Sequence, residues 1–181
     1  MELVDIYNER HEQLNYTKSR KELATGEYRL SAFIWVINDE DKILLQQRLA
    51  TTKKMPNMWG TTAGGAQTGE SSLESALREL KEELGIEAKK EEFSFIGSYK
   101  RINDFVEVWL CKKNIEVEDL VLEETEVQNA KWVDIEEFEH MIKDGTGINS
   151  GFDIFKMYYK EFYNKRYEFL DGKPILVENG K

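Results

Sequence analysis

Glu79, Glu82 and Glu83 stand within five residues of one another in the segment RELKEELGI. Residues three and four apart share a helix face, so a helix here gathers three carboxylates on one side. Like charges crowded in this way are costly unless a cation sits among them. Oxygen-only donors suit a hard divalent ion, Mg²⁺ or Mn²⁺. Glu70 lies near the start of the same segment, where a helix N-terminus stabilises a carboxylate. It has two readings, a structural partner for Arg78 and a neighbour of the metal. Gly64 and Gly65 let the backbone approach closely, either to a metal through a carbonyl or to the adjoining helix. Arg48, Lys53 and Lys54 lie just upstream, and three cations this close to an acidic motif are candidate phosphate contacts.

These side chains need elements to hold them. Ser71 and Glu74 form a capping box, and Gly85 closes the C-terminal end of the helix that carries the glutamates. Leu73, Ala76, Leu77, Leu80 and Leu84 recur at helical spacing and supply its apolar face. Residues 28–37, YRLSAFIWVI, read as a strand with a continuous apolar run, as when both faces are covered. An Asn-Asp-Glu-Asp turn at 38–41 leads to a returning strand at 42–48, then to a loop broken by Pro56 and Gly60. Residues 93–99, 105–111 and 127–133 read as further strands. Asp134 with Glu137 caps a short helix with an Ile135, Phe138, Met141 and Ile142 face. A last helix spans about 152–163, and Ile175 and Leu176 suggest a tail strand. The first 25 residues read as a strand followed by a brief helix. Helices interspersed among strands imply helices on both sides of a mixed sheet.

The 181 residues fit a single α/β domain with a proper core. A formal charge of −10 argues against non-specific nucleic-acid binding, although a metal can reverse the local sign of a phosphate site. Cys111 is the single cysteine and reads as a small core residue in a reducing compartment. The start MELVDIYNER lacks a signal-peptide pattern, and no run is long enough to span a bilayer. The expectation is a cytoplasmic protein without a membrane partner.

From Gly64, the order is five residues, Glu70, seven residues, Arg78-Glu79-Leu80, one residue, Glu82-Glu83, one residue, Gly85-Ile86. This resembles the Nudix box without a mismatch. The resemblance implies an α/β/α sandwich around a mixed sheet, covering roughly residues 28–143. It divides the chain into an arm at 1–27, a Nudix hydrolase domain at 28–166 and a tail at 167–181. It further implies hydrolysis of a diphosphate in a nucleoside diphosphate linked to another moiety, or a related small diphosphate. Metal would sit on Glu79, Glu82, Glu83 and the Gly64 carbonyl, with one glutamate as a possible base. Divalent ions make water nucleophilic, neutralise phosphoryl oxygens and stabilise the leaving phosphate. Arg78 takes the position that orients carboxylates, and Glu126 aligns with a downstream ligand or base. The resemblance leaves a homodimer open.

Two other readings share this layout. Segment 44–71 is similar to that of isopentenyl-diphosphate isomerases, but their cysteine and histidine positions hold Ala63 and Gly65 here. Allylic protonation then has no obvious acid. A non-catalytic nucleotide sensor is the other alternative. Such proteins often lose box carboxylates, and all are kept here.

Overall fold

The computed structural model describes residues 3–163, 165–170 and 173–178. Its centre is strand β3 (Arg29–Ile37), nine residues of which eight are buried. Side chains alternate across a strand, so Phe33, Trp35 and Ile37 enter one core while Ala32, Ile34 and Val36 enter another. This double burial is why the strand is apolar from Ala32 to Ile37. β3 turns through Asn38–Asp41 into β4 (Ile43–Arg48), pairing antiparallel at Val36↔Leu44 and Ile37↔Ile43. Asn38 Oδ1 accepts the Glu40 and Lys42 amides at 3.0 and 2.9 Å, which fixes that turn.

The segment from Trp59 is more regular than the loop expected up to Gly60. β5 (Trp59–Gly60) pairs with β4, and the glycine turn is itself a strand, β6 (Thr62–Gly65), antiparallel to β3. The helix α1 (Ser72–Leu84) follows, and the expected capping box is present. The Glu74 amide donates to Ser71 Oγ at 3.3 Å, and the Ser71 amide donates to Glu74 Oε2 at 3.0 Å. Gly85 ends the helix at φ 69°, a left-handed turn that glycine adopts without strain.

β7 (Phe93–Lys100) and β8 (Asp104–Lys112) form a hairpin, and β8 runs parallel to β3. β9 (Val127–Val133) adds to the far side of β4. The result is a mixed seven-stranded sheet with α1 on one face. The other face carries α2 (Ile135–Lys143) and α3 (Phe152–Glu161), where Trp35 packs among Phe138, Phe152 and Phe155. The α/β/α sandwich is the observed architecture.

Several local expectations change. Among the described residues the arm contains no helix; β1 (Leu3–Tyr7) pairs with β2 (Gln13–Ser19) as a hairpin, with His11 at φ 64° in its turn. Val4 and Ile6 are fully buried, and Tyr7 bridges to Tyr28, so the hairpin packs on the sheet. Asp134 stands at the N-cap of α2 without a side-chain hydrogen bond, and the Glu137 carboxylate accepts from Lys131 Nζ at 3.0 Å. In the tail, β10 (Lys165–Leu170) and β11 (Lys173–Glu178) pair antiparallel, so the strand expected around Ile175 is present.

Candidate active site

α1 docks on the sheet through Ala76, Leu80 and Leu84, together with buried Ser72 and Ser75; Leu73 and Leu77 are only partly covered. The apolar stripe is therefore rotated relative to a purely leucine-based reading. That rotation carries Glu83 inward. It is 6 % exposed and accepts a bond from Gln46 Nε2 of β4 at 2.7 Å. Glu82 remains outside, with its side chain 57 % exposed, and Glu79 lies between at 14 %. The three glutamates thus do not share one presented face, as helical spacing alone suggested. They rim a cavity of about 280 Å³, completed by Glu123, Thr125 and Glu126 from the segment before β9.

The electrostatics of this cavity follow from burial. Glu83 is pushed up to about 8, first by loss of hydration and then by the charges of Glu79 and Glu126, against the opposing Gln46 hydrogen bond. Glu79 is also raised, by burial first, with Arg78 opposing and Glu82 and Glu126 adding to the rise. Gln46 Oε1 is buried without a hydrogen-bond partner among the described residues.

Arg78 organises the outer side. Its Nε donates to Glu70 Oε1 at 2.8 Å, and its Nη1 to Glu79 Oε1 at 2.8 Å and Glu82 Oε2 at 2.9 Å. Nη2 donates to the Gly65 carbonyl at 3.0 Å and to Glu70 Oε2 at 3.1 Å. One guanidinium therefore ties the glycine strand to three carboxylates, a span its planar fork permits. Of the two readings of Glu70, pairing with Arg78 is the one its contacts display. Gly64 serves close approach to the helix: a Cβ there would overlap the Glu79 carboxyl.

Among the described residues, no three His, Cys, Asp or Glu side chains are yet gathered as a metal cage, since Arg78 holds Glu79 and Glu82. The donor chemistry nevertheless fits a hard divalent ion. It offers only oxygens, the buried Glu83 carboxylate accepts from the neutral Gln46, and its cavity neighbours include further carboxylates.

On the other side of Glu83 lies a larger cleft of about 560 Å³, where Arg48 and Lys54 face Gln46 and Glu83. Arg48 Nε donates to the Lys54 carbonyl at 3.3 Å, which holds the 49–58 loop beside the strand. Lys53 lines neither cavity. The cleft also contains Arg29 and Arg101, with Tyr99 and Phe33. Arg29 and Gln46 escaped sequence reading. Each sits in a strand otherwise read for its apolar content, and the pairing of β3, β4 and β6 alone brings them to the box. Phe105, Trp59 and Trp109 lie outside this cleft. Phe105 is buried against Tyr28, and Trp59 packs on the α2–α3 side. Trp109 donates its indole N–H to Ser72 on the α1 side at 3.0 Å. Cys111 is fully buried beneath α1, its thiol pushed up to about 12 by burial.

Comparison with known proteins places this geometry. A NUDIX domain family model matches residues 27–151. A Nudix hydrolase of Listeria monocytogenes, named as uncharacterized, is 35% identical over 150 residues, covering 82% of this chain and 89% of its own length. A similarly named Clostridium acetobutylicum protein is 32% identical over 153 residues, covering 78% and 74%. Among solved structures, DR0079 from Deinococcus radiodurans superposes with a TM-score of 0.71 at 18% identity, covering 87% of this chain and 99% of that one. At that identity the likeness speaks for the fold.

Proposed function

The chain belongs to the NUDIX domain family, enzymes that hydrolyse nucleoside-diphosphate derivatives, and on that premise we propose a more specific reading. It is a Mg²⁺- or Mn²⁺-dependent pyrophosphohydrolase that cleaves a small molecule in which a nucleoside diphosphate is linked to another moiety. The observation that carries the metal is the buried, like-charged surrounding of Glu83. Two further carboxylates of α1 and Glu126 rim the same cavity.

In this reading Glu79, Glu82, Glu83 and Glu126 hold the ion, with the Gly64 carbonyl as a further oxygen donor. A bound divalent ion supplies charge neutralisation on the phosphoryl oxygens and acidifies the attacking water. The protein does the rest. Gln46 orients Glu83 through its amide N–H. Arg78 holds Glu79 and Glu82, which would be ligands to such an ion, and has Glu70 as its own anchor. Arg48 and Lys54 stand across Glu83, where they can pair with the phosphates flanking the scissile bond. A carboxylate with a raised pKa within this rim is suited to accept the water's proton near neutral pH.

The test is an assay for release of the two phosphomonoester products across diphosphate compounds, with Mg²⁺, with Mn²⁺ and with chelator. Metal-dependent release that Glu82→Gln lowers by about a hundredfold or more supports the assignment. Unchanged turnover in that variant at saturating Mg²⁺ removes it.

A further inference from the structure

A second cleft, about 600 Å³ in volume, opens beside the first and shares Arg29, Lys54 and Arg101 with it. Arg20 and Lys21 complete its cationic lining. Among the described residues, five cations and one carboxylate, Asp104, line this cleft, in a chain whose net charge is −10. This reverses the charge balance of the whole molecule at one place.

Arg29 and Arg101 are fixed in this lining, whereas Arg20, Lys21 and Lys54 are exposed. Asp104 is 1 % exposed and sits at the start of β8, where it accepts Arg101 Nε at 2.8 Å on Oδ1. Its Oδ2 takes Arg101 Nη2, Ser31 Oγ at 2.9 Å and Arg29 Nη2 at 3.4 Å. Burial alone would push this carboxyl up; the Arg101 hydrogen bonds win and hold it below the usual range. One buried carboxylate thus clamps two guanidiniums, and each has five N–H donors to offer. Arg101 is further set over the Phe33 ring, at 5.2 Å from the centroid. From the opposite side, the arm hairpin delivers Arg20 and Lys21. Ser19 is buried at the end of β2 and its carbonyl accepts the Glu22 amide at 2.9 Å, so the chain turns there.

We infer that this cleft binds a second phosphate group of the substrate, remote from the diphosphate that is cut. The juxtaposition is Arg29 and Arg101 pinned by Asp104 on the sheet, Arg20 and Lys21 on the arm, and a shared wall with the cleft at Glu83. The substrate class is then a nucleoside-diphosphate derivative with an additional terminal or ribose phosphate. This rests on the hydrolase reading above for the identity of the carrier, but the anion site itself does not.

Two arms separate these claims. The first is calorimetry of inorganic tripolyphosphate at low salt with chelator, on the full chain. Arg20 and Lys21 line neither the carboxylate cavity nor the cleft at Glu83. The double variant R20S/K21S should bind about tenfold more weakly than the parent, as expected for lost charge-assisted contacts. R20K/K21R, with an unchanged melting temperature, should stay within about twofold of the parent. No binding by the parent protein, or equal binding by R20S/K21S, overturns the site. The second arm compares kcat/KM for NADPH against NADH and for coenzyme A against dephospho-coenzyme A. A preference of about tenfold for the phosphorylated member of either pair that disappears in R20S/K21S supports the substrate class. Equal rates within both pairs overturn it, even with tripolyphosphate bound. No metal-dependent turnover of any diphosphate, with tripolyphosphate still bound, removes the hydrolase reading and leaves the anion site standing.

Discussion

Replacing Glu83 by glutamine should make the metal-free protein more stable at alkaline pH while removing turnover. The Glu83 carboxyl is buried, and it is pushed from an ordinary 4.5 up to about 8 by burial first and neighbouring carboxylates second. A carboxyl whose folded pKa lies above its unfolded value favours the fold while protonated. That stability is whole below about 4.5, declines as pH rises, and is lost above about 8. The interval corresponds to at most ~5 kcal/mol at ~1.4 kcal/mol per pH unit. Water entering the cavity relaxes the ionised form, so a difference of ~2 kcal/mol is expected at pH 8.5. Glutamine carries no charge and can present its amide to Gln46 Oε1, which is otherwise unsatisfied. Thermal unfolding in chelator from pH 4.5 to 9 reads this directly. Glu83→Gln should match the parent near pH 4.5 and melt about 4–8 °C higher at pH 8.5, given a chain of this size. Added Mg²⁺ should raise the parent's melting temperature at pH 8.5 and leave that of the variant nearly unchanged. A pH-independent difference, or a variant less stable than the parent at pH 8.5, refutes the argument from burial.

Gly64→Ala forces a Cβ into the Glu79 carboxyl; it should cost ~1–3 kcal/mol in urea unfolding and reduce kcat at saturating Mg²⁺ by at least about tenfold. Arg78→Lys keeps the charge but cannot span Glu70, Glu79, Glu82 and the Gly65 carbonyl together. Turnover should fall by about tenfold or more, and full activity in the lysine variant would show that the fork geometry is irrelevant. Cys111→Ala removes a buried thiol beneath α1 that lines neither the carboxylate cavity nor the cleft at Glu83. Stability should drop by ~1 kcal/mol with turnover intact, and loss of turnover in a well-folded variant would revive thiol chemistry.

Local features were legible because their causes are local. Ser71, Glu74 and Gly85 cap a helix through bonds within a few residues of each other, and the structure forms them as the sequence implies. The apolar run of residues 32–37 implies coverage on both faces, and helices cover both. The box spacing likewise announced the family, and with it the candidate residues Glu79, Glu82 and Glu83. The brief helix expected in the arm failed for the opposite reason. QLNYTKS has no strong helical period, and its strand state comes from pairing with β1, a non-local contact.

The sequence by itself determined that there would be a capped acidic helix beside a glycine turn, and a doubly covered central strand. Those follow from periodicity, capping and backbone freedom, which act over a few residues. Only the tertiary structure decided which carboxylate is buried, because Glu83 turns inward when Ala76, Leu80 and Leu84 seat α1 on the sheet. The docking of one element on another decided the rest. It set Gln46 against Glu83, left Lys53 out of both cavities, and brought Arg29, Arg101 and the arm's Arg20 and Lys21 to a single cleft. Charges that far apart in the chain acquire a common field only when strand pairing has fixed their distances.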